Sequence, residues 1–94
     1  MYKVEVYHYR EAWFKGDLED EEVLLRSELF KTRKSAKDYI ESKVKGKINV
    51  VKRYHKGDEP SYVHYFTGYK WQHENTGETC HEYYTYKLEK VKAR

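Results

Sequence analysis

The sequence predicts an α+β fold, an antiparallel sheet of about five strands with one helix packed on one face, in the order β-β-α-β-β-β. Three observations lead there. Residues 2–14 alternate, with Tyr2, Val4, Val6 and His8 on one side and Lys3, Glu5, Tyr7 and Tyr9 on the other, which is the period-two pattern of a strand. Ala36, Tyr39, Ile40 and Val44 recur at the spacing of one helical face. From Lys47 onward alternation returns, and Asn75-Thr76-Gly77 has the composition of a tight hairpin loop.

Taken in order, the first strand starts at once and runs to residue 14. Gly16-Asp17 and the acids that follow are expected to break it and form an exposed loop over residues 17–22. Val23 to Phe30 is expected to be the second strand, the hairpin partner of the first. Thr32 has the chemistry of a helix N-cap, the helix spans residues 33–45, and Gly46 is placed to stop it. Lys47 to His55 forms the next strand, with Ile48 and Val50 on one face, and Lys56-Gly57-Asp58-Glu59-Pro60 is a turn.

For the last hairpin, closing the loop with Glu74 opposite Glu78 pairs Lys70 with Glu82, Gly68 with Tyr84, Phe66 with Tyr86 and His64 with Leu88. The other face then carries Trp71 with His81, Tyr69 with Tyr83, Thr67 with Thr85 and Tyr65 with Lys87. The opposite charges of Lys70 and Glu82, and a Tyr84 ring over the bare backbone of Gly68, favour this register. Val50 would lie opposite Phe66 and Ile48 opposite Gly68. An even-numbered face of Ile48, Val50, Phe66, Tyr84, Tyr86 and Leu88 is thereby assigned to the helix.

Ninety-four residues form one domain, 1–94, with a thin core, because hydrophobic residues are 38% and charged residues 37% of the chain. The 11 tyrosines must supply much of the buried area. Cys80 is the single cysteine, so an intrachain disulfide and a Cys-based zinc site are both excluded. No apolar run approaches the roughly 18–20 residues of a membrane span, and the N-terminus lacks a signal-peptide pattern. A cytoplasmic protein that does not meet the membrane is expected. Charge is segregated: seven acids and two bases lie between Glu11 and Phe30, against ten bases and two acids between Lys31 and Lys56. Such a pattern speaks to partners.

The odd-numbered sheet face carries Val51, Arg53, Tyr65, Tyr69, Trp71, His81, Tyr83 and Lys87, with Tyr7 and Tyr9 adjoining. One helix covers one face, so this second face is expected to be an interface centred on Trp71, Tyr69 and Tyr83. A merely solvated Tyr/Thr-rich face is the alternative. Aromatics interleaved with Arg and Lys also suit single-stranded nucleic acid, although the aromatic motif of the RNA-recognition fold is absent. Asp17, Glu19, Asp20, Glu21 and Glu22 form an acidic loop that could meet a partner. Arg33, Lys34 and Lys37, in the first helical turn, make a possible anion site, against the simpler reading that they reach to water or to the acids. His64, His73, Cys80 and His81 do not converge in this register, so no metal site is expected. With no cofactor motif, no phosphate loop and no Ser/His/Asp geometry, the chain reads as a non-enzyme.

The segment Leu29-Phe30-Lys31-Thr32-Arg33-Lys34-Ser35-Ala36-Lys37-Asp38-Tyr39-Ile40 resembles small bacteriophage accessory proteins, in which a strand ending in Phe-Lys-Thr enters an amphipathic helix on a Tyr-rich sheet. The resemblance implies a host-takeover or anti-defence inhibitor of the anti-CRISPR kind, acting by stoichiometric binding to a host protein. Many of those inhibitors mimic DNA with an acidic surface, whereas this chain is slightly basic. Two further classes of function remain open: nucleic-acid or nucleotide binding through the Tyr/Trp/Arg/Lys face, and a structural homodimer.

Overall fold

The computed structural model describes residues 1–14, 17–73 and 78–92, and side chains for residues 1–11, 20–67 and 81–92. One five-stranded antiparallel sheet carries one helix. The elements are β1 (Tyr2–Phe14), β2 (Asp17–Phe30), α1 (Arg33–Val44), β3 (Val50–Arg53), β4 (Ser61–His73) and β5 (Glu78–Lys90). Across the sheet the order is β2-β1-β5-β4-β3, with the first and last long strands paired near its centre.

The helix forms where its pattern requires. Thr32, in extended conformation, accepts a hydrogen bond from the Ser35 N–H at 3.1 Å, satisfying one of the free donors of the first turn. Past the end, Gly46 takes φ +78°, a conformation that costs glycine little. Ala36, Ile40 and Val44 bury themselves on Val4 and Val6 of β1, Val63 of β4 and Tyr86 and Leu88 of β5. Tyr2, Phe30, Tyr39, Val50, Tyr54, Tyr65 and Tyr84 pack around this cluster. Glu41 ties the short strand to the helix, accepting from Lys52 Nζ at 2.6 Å and from the Tyr54 hydroxyl at 2.9 Å.

Several expectations are corrected. The acidic run 17–22 is not a loop: it is the first half of β2, paired with β1 out to Phe14↔Asp17. Carboxylates are tolerated there because β2 is an edge strand, open to water along one side. Ile48 does not join the helix face; it is 63% exposed, because Asn49 takes φ +55° and turns the chain before β3 begins. Asn is among the few residues that accept this left-handed conformation.

The last hairpin is shifted as well. His73, not Glu74, pairs with Glu78, so Lys70 stands opposite His81 and Trp71 opposite Cys80. Between Phe66 and Lys70 the register slips again, so that Phe66 meets Tyr83, Tyr65 meets Tyr84 and Ser61 meets Leu88. Gly68 lies inside this irregularity, marking a bulge rather than a bare backbone under a ring. The slip by one exchanges the faces of β4: Ser61 and Val63 are buried under the helix and Tyr65 packs at the margin of that core. Val50 stays on the helix side, but opposite Tyr65 and not Phe66. The loop residues Asn75, Thr76 and Gly77 lie outside the described residues.

Ile40 is fully buried between helix and sheet. Replacing it with Ala is expected to lower unfolding free energy by about 2–4 kcal/mol, measured by urea denaturation with an unchanged slope. A loss under about 0.5 kcal/mol, the range of surface changes, would show that α1 does not pack through this residue.

Candidate functional site: the open face of the sheet

Alternation sends every second residue of the strands away from the helix. The open face therefore collects Tyr7, Tyr9 and Glu11 from β1, His81, Tyr83, Thr85 and Lys87 from β5, Tyr62, His64 and Phe66 from β4, and Val51 and Arg53 from β3. Its centre is a run of touching rings. Tyr83 lies 4.6 Å from Tyr9, 5.6 Å from Phe66 and 6.0 Å, edge-on, from His64, and the His64 ring is parallel to Tyr62 at 6.2 Å. A shallow groove of about 790 Å³ runs over these rings, with Glu11 and His81 on its β1–β5 side and Val51, Arg53 and His55 on its β3 side.

Polar groups fix the rings in place. His64 Nδ1 is 2.8 Å from Thr85 Oγ1, and the Tyr9 hydroxyl donates to Asp20 at 3.1 Å. Burial, and then the nearby Arg53 charge, lower the His64 pKa, so the ring is held neutral. Burial together with the Asp20 carboxylate pushes the Tyr9 phenol up to about 12. Tyr83 is raised too, by burial and then by the Glu11, Glu22 and Asp20 carboxylates. These phenols stay protonated and can donate.

The charge segregation of the sequence becomes a geometric one. β2, at one edge, carries six acids and one base, whereas residues 47–56, around β3 at the opposite edge, carry four bases and no acid. The aromatic run on β5 and β4 lies between the two.

Of the residues expected at the interface, His81, Tyr83, Arg53 and Lys87 share this face. Tyr65 does not: the register slip puts it on the helix side, stacked on Tyr84 at 5.2 Å. The side chains of Tyr69 and Trp71 lie outside the described residues. Tyr62, His64 and Phe66 join this face against expectation, because the register shift reverses the parity of β4. Of the acidic residues, Asp20 and Glu22 border the open face beside Tyr9, while Glu21 pairs with Arg10, one position out of phase. Asp17 and Glu19 take the strand positions opposite Phe14 and Ala12.

The three bases of the first helical turn do not gather as an anion site. Arg33 donates to the His55 carbonyl, Lys34 pairs with Asp38 at 3.1 Å, and Lys37 sits over the Tyr54 ring at 4.5 Å. Among the described residues no group of three or more His, Cys, Asp or Glu is placed to hold a metal ion, and no helix is long and apolar enough to cross a membrane. The chain matches no family model, no curated protein and no solved structure.

The lowered His64 pKa carries a sign for stability. Between the folded pKa and the ordinary value of 6.5, the unfolded chain binds a proton that the folded chain does not. This contribution is complete above pH 6.5 and shrinks as pH falls through that window. Glu41 and Glu89, both held below the ordinary 4.5 by lysine hydrogen bonds, add their own loss only at lower pH. Melting temperature should therefore decline as pH falls below 6.5 in the wild type, and His64→Gln should flatten that decline. An unchanged slope would show that His64 titrates alike in both states.

Proposed function

We propose that the chain is a non-catalytic binding protein whose open sheet face receives another protein. The observation that carries this reading is the run of Tyr9, Tyr83, Phe66, His64 and Tyr62 on a face the helix does not cover, with Phe66 39% exposed. Preorganised rings of this kind supply contact area at low entropic cost and are common anchors of interfaces. The bipolar border supports a protein partner over a nucleic acid. A polyanion laid along the aromatic run would pass Glu11, Glu22 and Asp20 on one side, whereas a folded surface of opposite polarity would be matched on both. The resemblance of Leu29–Ile40 to phage accessory proteins supports a host protein as that partner, held in a stoichiometric inhibitory complex in the host cytoplasm.

Immobilised wild-type protein is expected to capture a host protein from lysate with or without nuclease treatment. Phe66→Ser should abolish capture while leaving the melting temperature within a few degrees. Ile48→Ser, exposed and away from this face, should leave capture intact. Capture lost on nuclease treatment would make the face a nucleic-acid site. Recovery of the chain itself alone, with concentration-dependent mass by light scattering, would make the face a homodimer interface.

A further inference from the structure

The two edges of the sheet carry complementary sequences. β2 and β3 are the outermost strands, each paired on one side only among the described residues. Along β2 two acids precede two aliphatic residues, Glu21-Glu22-Val23-Leu24. Along β3 two aliphatic residues precede two bases, Val50-Val51-Lys52-Arg53. Val23, Leu24 and Val51 are exposed, and an apolar strand with a free edge is a template for pairing.

Laid antiparallel, the two segments match at every position: Leu24 opposite Val50, Val23 opposite Val51, Glu22 opposite Lys52 and Glu21 opposite Arg53. A parallel alignment would set the acids on the valines, and two copies of β2 would bring carboxylates together. The faces agree as well. Four antiparallel pairings separate β2 from β3, so both run in the same direction within one sheet. An antiparallel contact between copies therefore turns the second copy over. Glu22 and Leu24, opposite Tyr9 and Tyr7 on the open face, then share a side with Lys52 and Val50, which lie on the helix side of β3. Cross-strand neighbours must share a side. The match ends where both strands become irregular, since the unpaired Leu25 would meet Asn49 at its left-handed φ. Glu21, Glu22 and Arg53 take part in no ion pair among the described residues, whereas Lys52 meets Glu41.

We infer that copies of this chain join edge to edge, β2 of one antiparallel to β3 of the next, through the four pairs from Leu24–Val50 to Glu21–Arg53. The two edges differ, so the contact is heterologous: each added copy leaves a free β2 at one end and a free β3 at the other, and growth does not stop at a dimer. Four paired residues make a small contact, so association is weak and needs high protein concentration. The rings of Tyr9, Tyr83, His64 and Phe66 lie on inner strands and take no part, which makes this contact independent of the partner received by the open face.

Sedimentation of the full chain at concentrations up to about 1 mM, the range of weak association, tests this. Average mass should rise with concentration beyond that of a dimer and fall again in high salt, which screens exposed pairs. Glu21→Arg and Arg53→Glu each place like charges across the register. Each should weaken association about ten-fold, with the melting temperature within a few degrees because both sites are exposed. An equimolar mixture of the two variants restores opposite charges at each unlike contact and should associate like the wild type. Phe66→Ser should leave association unchanged. A wild type that stays monomeric at about 1 mM would overturn the inference, as would single variants that associate normally or a mixture that does not recover. Association abolished by Phe66→Ser would overturn it too, by placing the contact on the open face.

Discussion

Everything in this structure follows from a mismatch of lengths. A helix of 12 residues is about 18 Å long at 1.5 Å per residue, whereas strands of 13 residues reach about 43 Å at 3.3 Å per residue. The helix therefore covers only the half of the sheet where β1 begins and β5 ends. Among the described residues, the buried apolar ones, Val4, Val6, Val63, Tyr86 and Leu88 under Ala36, Ile40 and Val44, all lie in that half. Beyond Tyr7 on β1 and before Tyr83 on β5 the strands continue without the helix. That part of the sheet is held by its ladder hydrogen bonds and by cross-strand pairs such as Tyr9 with Tyr83 and His8 with Tyr84.

Such a sheet needs protection along its edges, and the acids of β2 provide it. Val23, Leu24 and Leu25 are each between 41% and 52% exposed on a strand with one free side, which is the composition of a self-associating edge. Two features oppose that outcome. Asp20, Glu21 and Glu22 precede the apolar triplet, so a second copy paired antiparallel would bring carboxylates toward Glu28. The register between β1 and β2 also slips at Val6/Tyr7, leaving Leu25 without an opposite residue, and a bulge bends an edge away from flat pairing. The acidic run thus serves the strand it belongs to, and an expectation of a free acidic loop overlooks that demand.

The sequence was legible wherever the signal was local. The alternation of residues 2–14, the Ala36-Ile40-Val44 stripe, the Thr32 cap and the Gly46 stop are each contained in a dozen residues, and each element stands where they put it. Acids read as turn-formers concealed the start of β2, because strand propensity carries no term for an exposed edge. Register is a non-local property. A shift of one at the β4–β5 hairpin turns Tyr65 toward the helix and brings Tyr62, His64 and Phe66 to the open face. The pair Lys70 and Glu82, attractive by charge, gave way to His8 as the neighbour of Glu82 at 3.7 Å, from a strand that the hairpin alone does not reveal. Face assignment in β5 survived because Tyr84, Tyr86 and Leu88 face the helix side in either register.

The same alternation decides how the two surfaces of the sheet relate. β5 is the central strand, and its successive residues serve them in turn: Tyr83, Thr85 and Lys87 look to the open face, Tyr84, Tyr86 and Leu88 to the helix. A strand backbone shared in this way cannot shift to improve packing on one side without displacing rings on the other. Tyr83 is clamped between Tyr9 and Phe66 while Tyr84, its neighbour in sequence, is clamped between His8 and Tyr65. The helix, by burying Tyr86 and Leu88, anchors the end of β5 from which both sets of rings project. Rigidity on the uncovered face thus originates in the small core beneath the covered one, which is how a chain with few aliphatic residues holds an aromatic surface in fixed geometry.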